Sequence, residues 1–205
     1  MTARTTRRSP RGETRRAEII DAAMEEIAAH GYHGMSLAAV ADRVGISQSG
    51  LLHHFASKEI LLDAVVQKRF AEDSELVDRL GLGTASPLAG YDSLIHRNID
   101  HQVWMQFLMV IQAEGLTDEN PAFDLIRNRY QAVRERIVTR IDSHVGDEFD
   151  LPSHLDRRDI ATLLLAAMDG LQLQWLYDPT IDMRRTFRML ISLIESSPDP
   201  DSYPA

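Results

Sequence analysis

A short segment near residue 50 carries side chains that can hydrogen-bond to nucleic acid. Helical spacing that turns Leu51 and Phe55 inward leaves a polar surface on the other side. The residues of that surface are Gln48, Ser49, Gly50, His53 and His54. Glutamine can bind adenine through two hydrogen bonds, serine adapts to donors or acceptors, and glycine allows a close approach to phosphate. The two histidines can donate to phosphates, so the segment has the chemistry of a base-reading helix.

Two short predicted helices joined by a tight turn position these side chains. The apolar residues of Leu37–Val44 repeat at helical spacing, with Ser36 before them as a cap. Gly45 permits the left-handed turn, and Ser47 caps the second helix, residues 48–54. These dimensions are typical of a helix-turn-helix, whose second helix lies in the major groove. Spacing alone leaves open a helical hairpin in an unrelated bundle.

Five consecutive motifs carry a closer resemblance. They are IIDAA (19–23), GYHGMS (31–36), LAAVADRVGIS (37–47), GLLHHF (50–55) and SKEILL (57–62). Residues 19–62 thereby resemble the DNA-binding domain of the TetR (tetracycline-repressor-like) family of transcriptional regulators. The resemblance implies a homodimer that binds double-stranded DNA at an inverted-repeat operator, most often as a repressor released by a small effector.

The resemblance also implies roles for individual residues. Ser36 and Ser47 become helix caps near phosphates, residues 48–54 become the recognition helix, and Lys58 reaches the DNA backbone. With the outward residues above, the predicted DNA-binding set is Ser36, Ser47, Gln48, Ser49, Gly50, His53, His54 and Lys58. The family commonly has tyrosine where this chain has Leu52, which cannot donate a hydroxyl to phosphate. The operator preference therefore cannot be taken from the resemblance.

The rest of the chain is also predicted to be helical. Apolar residues recur with helical period along the chain, no stretch alternates as a strand would, and about nine helices are expected in an all-α fold. We predict a basic flexible arm at 1–16 and the helix-turn-helix domain at 17–58. A ligand-binding and dimerisation domain follows at 59–197, with a disordered tail at 198–205.

Charge and composition narrow the class of protein. The 205 residues have a formal net charge of −9, yet residues 1–16 hold six arginines and one glutamate. A basic arm on an acidic body indicates a polyanionic partner at one end, although a solvated leader has the same composition. There are no cysteines, and no apolar run approaches a membrane span. A cytoplasmic location without a membrane partner is expected.

An enzyme is the competing class. No nucleophile elbow, phosphate-binding loop or zinc-protease motif occurs, so we predict no catalytic residues and no cofactor. The alternative is a helical metal- or ligand-binding enzyme without DNA function. Its best candidate is Asp92, His96 and Asp100 on one helical face, but a solvated polar face is the more common explanation, and no metal is predicted.

Two apolar sets are expected in the C-terminal part. A mostly apolar effector pocket with a few polar groups is predicted from Trp104, Met105, Leu108, Gln112, Tyr130, Met168, Gln172 and Trp175. The predicted dimer interface consists of Leu163, Ala167, Gly170, Leu171, Gln174, Phe187, Leu190, Ile191 and Ile194. Plain core packing explains either set equally simply.

Overall fold

The computed structural model describes residues 10–81, 86–117, 120–143 and 155–196. Within these ranges it contains nine α-helices and no strand, which confirms the predicted all-α fold. The helices are α1 (Pro10–Gly34), α2 (Leu37–Val44), α3 (Gln48–His54), α4 (Lys58–Gly81), α5 (Ala89–Asp100), α6 (Gln102–Gly115), α7 (Ala122–Asp142), α8 (Arg157–Tyr177) and α9 (Met183–Glu195). The predicted tail, residues 198–205, lies outside the described residues.

The first helix begins earlier than the sequence suggested. Residues 10–16, predicted to belong to the flexible arm, form the first turns of α1. Pro10 suits this position because its fixed backbone angle and missing N–H cost nothing at a helix start. Residues 1–9 lie outside the described residues. A glycine after a histidine predicts a helix end at His30-Gly31. The structure interrupts α1 at this point, since Gly31 has φ 75° and ψ 169°.

The helical spacing of apolar residues predicts one helix at about 88–114, but the structure has two there, α5 and α6. The break falls at His101, whose backbone is not helical (φ −123°, ψ 54°). Before it, α5 buries Tyr91 and Ile95 in the C-terminal part of the chain. After it, α6 buries Trp104 and Phe107 beside the N-terminal helices. A single straight helix cannot present its apolar face to both.

Two hydrophobic cores organise the chain. The first contains residues of α1 to α4, together with the apolar face of α6 and the start of α7. The second lies among α5, α7, α8 and α9 and includes Met105 and the end of α4. The first core therefore crosses the boundary predicted at residue 58, because α6 packs beneath the helix-turn-helix.

Helix α4 takes part in both cores. Leu61, Leu62 and Val65 near its start are buried with the N-terminal helices. Val77, four turns further on, is buried with α5 and α7. Gly90 of α5 lies against this end of α4, and a Cβ at Gly90 would come within 2.6 Å of the Val77 carbonyl oxygen. Glycine is thus required for the close crossing of α4 and α5.

This crossing gives a stability prediction. Gly90→Ala should lower the free energy of unfolding by ~1–3 kcal/mol, because overpacking at a backbone contact outweighs the gain in helix propensity. Ser93→Ala on the same helix is the matched control and should change stability little. Urea unfolding at fixed protein concentration measures both, and a Gly90→Ala protein as stable as its parent would contradict the close crossing.

Candidate nucleic-acid interface and effector cavity

Helices α2 and α3 form a compact helix-turn-helix. The Ser36 hydroxyl accepts a hydrogen bond from the Ala39 amide at 3.0 Å and begins α2. Gly45 ends α2 in the left-handed conformation (φ 72°, ψ 37°). The following amide, of Ile46, donates to the Ala41 carbonyl at 3.0 Å. Both serines and the glycine therefore have the local roles that the sequence predicted, since Ser47 accepts from the Gly50 amide at 3.1 Å to begin α3.

The recognition helix has an anchored side and a free side. Leu51 and Phe55 are fully buried and fix α3 to the first core. Gln48, Ser49 and His53 are exposed, while Gly50 and His54 are half-buried. Ser49 and Ser47 share a hydrogen bond between their hydroxyls at 3.0 Å. Leu52 lies on the free side with 40% of its surface exposed.

Two arginines that the sequence assigned to the arm hold the helix-turn-helix in place. The Arg15 guanidinium donates to the Val44 carbonyl at 2.9 Å, at the end of α2. Arg16 donates to the His54 carbonyl at 3.2 Å, at the end of α3, and lies 3.9 Å from the centre of the Phe55 ring. Cations at helix C-termini satisfy carbonyls that lack a helical partner. Sequence reasoning missed this role, although two adjacent arginines on an amphipathic helix were visible.

Lys58 begins α4 beside the helix-turn-helix. Its ammonium donates to the His33 carbonyl at 3.2 Å and lies 4.6 Å from the centre of the Tyr32 ring. Burial lowers the pKa of Lys58, and the neighbouring Glu59 and Glu114 oppose that shift. The Tyr32 hydroxyl donates to Glu59 at 3.0 Å. To contact DNA, Lys58 would replace its hydrogen bond to the His33 carbonyl with one to a phosphate.

The end of α6 contacts the same corner of α1. The Tyr32 amide donates to the Glu114 carboxylate at 2.5 Å. That carboxylate also occupies the space that a Cβ at Gly31 would need. Between α6 and α7, the side-chain amide nitrogen of Asn120 lies 3.1 Å from His33 Nε2. These contacts join the two parts of the chain directly, alongside the continuous helix α4.

Most of the eight residues predicted for the effector pocket are divided between the two hydrophobic cores. Trp104 and Leu108 are buried in the first core beneath the helix-turn-helix, and Met105 is buried in the second. Gln172 is buried, and Trp175 packs at the edge of the second core. The aromatic and methionine side chains of this set therefore mainly belong to the two hydrophobic cores. Of the eight residues, Met168 lines the cavity described next.

The apolar cavity lies between α4, α5, α7 and α8. Its walls include Phe70 and Val77 of α4, Leu94 of α5, Val133 of α7 and Met168 of α8. Its volume is about 40 Å³. Polar groups are few and include three charged side chains, Asp73, Arg129 and Arg136. The sequence signal for this site was weak, because its walls come from four helices.

A chain of hydrogen bonds lies beside the cavity. Gln112 donates to the Tyr130 hydroxyl at 2.8 Å, and that hydroxyl in turn donates to the Asp169 carboxylate. Burial raises the pKa of Tyr130, and Asp169 raises it further. Burial also raises the pKa of Asp169, against the opposing effects of Tyr130 and Arg129. Two of the predicted pocket residues, Gln112 and Tyr130, are thus joined in one polar network.

The residues predicted for the dimer interface divide into two groups. Phe187, Ile191 and Ile194 are buried in the second core. They pack against other helices of the same chain and are not accessible to a partner. The others remain accessible or half-buried, and they are Leu163, Ala167, Gly170, Leu171, Gln174 and Leu190. Large exposed apolar residues that the prediction missed extend the same face, and they are Leu173, Tyr177, Met189 and Leu193.

One of the two acidic residues of the candidate metal clip, Asp92, has other partners. Arg184 donates to the Asp92 carboxylate at 3.0 Å, and Arg188 donates to its second oxygen at 2.9 Å. These bonds fix α9 to α5. Among the described residues no group of three or more His, Asp or Glu side chains is placed to hold a metal ion.

No helix in the described ranges combines the length and the apolar character needed to cross a membrane.

Comparison with known proteins places the chain among bacterial regulators. Residues 19–65 match the family described as bacterial regulatory proteins, tetR family. The transcriptional repressor AcnR of Corynebacterium diphtheriae is 37% identical over 163 residues, covering 76% of this chain and 78% of that protein. The regulator UidR of Escherichia coli is 27% identical over 133 residues, covering 62% of this chain and 64% of its own length.

A solved structure agrees in fold. The regulator FadR of Bacillus subtilis, in complex with stearoyl-CoA, superposes with a TM-score of 0.73 at 18% identity, covering 89% of this chain and 99% of that one. The matched segment contains α2, α3 and the start of α4, and the likeness to AcnR extends over most of both proteins. The chain belongs to the TetR family of bacterial regulatory proteins.

Proposed function

We propose that this protein is a homodimeric transcriptional repressor. It binds an inverted-repeat operator through α3 and leaves the operator when a small, mostly apolar effector enters the cavity beside α4. The helix-turn-helix carries the proposal, because α3 is anchored on one side by Leu51 and Phe55 and offers Gln48, Ser49 and His53 on the other. Action on DNA fits a protein of the cytoplasm.

The proposed DNA contacts divide into two kinds. Gln48 and Ser49, in the first turn of the recognition helix, can reach base edges in the major groove. Ser36, Ser47, Gly50, His53, His54 and Lys58 serve backbone contacts, which position the protein without reading sequence. Leu52 adds an apolar surface suited to a thymine methyl group.

The proposed dimer forms through the exposed faces of α8 and α9. Leu163 is 49% exposed, Met189 58% and Leu193 60%, and helical spacing places such residues on one side of each helix. Ala167 and Gly170 allow a close approach, since nothing lies within 4 Å of a Cβ at Gly170. A two-fold dimer presents its two α3 helices to half-sites one helical turn, roughly 34–36 Å, or a multiple of that apart.

The proposed switch follows from the size of the cavity. A small-molecule site usually needs roughly 300–1,000 Å³, and the cavity between α4 and α7 has about 40 Å³. An effector must therefore push α4 away from α7 and α8. Because Leu61, Leu62 and Val65 at the other end of α4 pack with the helix-turn-helix, this displacement changes how the two recognition helices are spaced.

Base reading by Gln48 gives the first test of the proposed function. Selection from a random duplex library should return an inverted repeat. Gln48→Ala should relax the base preference at one symmetric pair of positions. Each good contact contributes ~1–3 kcal/mol to discrimination against the wrong base. Gln102→Ala, an exposed glutamine on α6, is the matched control and should leave the selected site unchanged.

Two outcomes would count against this assignment. A selected site without dyad symmetry contradicts the two-fold dimer on DNA. An unchanged base preference in Gln48→Ala shows that another residue reads the bases. Lys58→Met should instead weaken binding to all DNA sequences alike, because a phosphate contact carries no base information.

The arm is tested by salt dependence. Deleting residues 2–8 removes Arg4, Arg7 and Arg8 and leaves the start of α1 at Pro10 intact. The slope of log K against log salt should become shallower by about 0.9 for each arginine that neutralises a phosphate. Deleting residues 198–205 is the matched truncation and should not affect the slope. Equal slopes with and without residues 2–8 would show that the arm does not contact DNA.

The dimer face is tested by charge. Leu193→Arg should give a monomer in light scattering and reduce affinity for the inverted repeat, because a charge cannot be buried there unpaired. Leu116→Arg is the matched control, since Leu116 is 80% exposed and lies outside α8 and α9. A Leu193→Arg protein that remains dimeric would place the interface elsewhere.

A further inference from the structure

Arg129 stands out among the charged groups around the cavity. Its Nη1 atom is fully buried and has no hydrogen-bond partner in the part of the chain that the structure describes. The other two charged residues of the cavity form ion pairs, although Arg136 Nε is also buried without a hydrogen-bond partner within the described ranges. Asp73 binds Arg69 and Arg97, and Arg136 binds Asp78. Among the described residues, Arg129 is therefore the guanidinium of the cavity without an ion-pair partner, and its one aromatic contact is the Tyr130 ring, 5.7 Å from the guanidinium carbon.

Asp169 is the nearest candidate to neutralise Arg129, but its carboxylate is used otherwise. It accepts the Tyr130 hydroxyl, and no ion pair joins it to Arg129. Burial raises the pKa of Asp169 and lowers that of Arg129. Both shifts show that this region disfavours charges without close partners. An unpartnered buried donor is costly to the protein unless a ligand supplies the acceptor.

The walls of the cavity determine what else the ligand must be. Apart from the charged groups, the lining is largely apolar, with Phe70, Val77, Leu94 and Met168 on four sides. The lining of α7 runs from Arg129 to Ile137, about 12 Å along the helix axis. A volume of about 40 Å³ over that length makes the cavity narrow. An unbranched chain fits such a space better than a ring system.

We propose that the effector is an unbranched aliphatic carboxylic acid whose carboxylate binds Arg129 and whose chain lies between α4, α7 and α8. A planar guanidinium matches a carboxylate through two parallel hydrogen bonds. The aliphatic chain of the ligand supplies the volume that displaces α4, and its carboxylate neutralises the charge of Arg129. This inference rests on the proposed function for its regulatory meaning, but the binding itself can be measured without DNA.

The test uses the full-length protein and four probes of defined structure. These are octanoate, decanoate, dodecanoate and the neutral analogue decanol, each below the concentration at which it forms micelles. Calorimetric titration and the shift in thermal unfolding report binding. Decanoate should bind and raise Tm, and decanol should bind on the order of ten- to a hundred-fold more weakly, the difference made by hydrogen bonds to a charged group.

Variants at Arg129 identify the site. Arg129→Met should reduce decanoate affinity to the level of decanol, while Arg129→Lys keeps the charge and should retain part of the preference. Arg127→Met is the matched control on α7, because the Arg127 side chain is 62% exposed and its contacts, with Asp124 and the Phe123 ring, lie away from the cavity lining. If Arg129→Met does not fold, the comparison of decanoate with decanol on the parent protein still decides whether a carboxylate is recognised.

Each outcome separates this inference from the proposed function. Equal affinities for decanoate and decanol, no binding of any of the three carboxylates, or unchanged decanoate binding in Arg129→Met would each overturn the inference. Selection of an inverted-repeat operator would stand regardless. If decanoate binds through Arg129 but an operator duplex does not weaken its affinity, the carboxylate site is real and the proposed switch is wrong, because coupling between two sites is reciprocal.

Discussion

Burial of the apolar face of α6 against α1 is the interaction on which the arrangement of the chain depends. Trp104 and Phe107 stack at 5.2 Å between ring centres and are almost completely buried, with Leu108 and Ile111 on the following turn. Fully burying one such side chain contributes roughly 1.5–3 kcal/mol, so separating α6 from the helix-turn-helix would expose a large part of the first core. The N-terminal helices are therefore joined to the C-terminal helices through α6 as well as through α4, and the hydrogen bond from the Tyr32 amide to Glu114 lies at the edge of the same contact.

Charged groups inside the C-terminal part determine how α4 can move. Asp73 of α4 pairs with Arg97 of α5, and Arg69 donates to Asn98 at 3.2 Å. Burying these charges is costly, but breaking one pair would cost more, because it leaves a charge without a partner. The close crossing at Gly90 adds a steric limit at the far end of α4. An effector in the cavity, as proposed, would therefore displace α4 from α7 and α8 more readily than from α5.

Local signals in the sequence were sufficient for the helix-turn-helix. Ser36, Gly45 and Ser47 act through hydrogen bonds and backbone angles within four residues of their own positions, so spacing alone predicted the two caps and the turn. The prediction failed where a side chain is satisfied by a distant one. Arg15 and Arg16 looked like arm residues, although they cap helices 29 and 38 residues away. The break at His101 was missed for the same reason, since no proline or glycine marks it and only the two separate cores require it.

The sequence by itself determined the helical class, the family and which side of α3 is buried, because these depend on period, caps and short motifs. Tertiary structure alone decided which apolar residues of the C-terminal part are core and which are accessible. Phe187 and Leu193 lie six positions apart on one amphipathic helix, yet the first is fully buried and the second is 60% exposed. The same holds for the cavity, since Trp104 is buried in the first core and Arg129 lines the cavity. Helical periodicity shows that a face is apolar, but the neighbour that covers the face is fixed only when distant helices pack together.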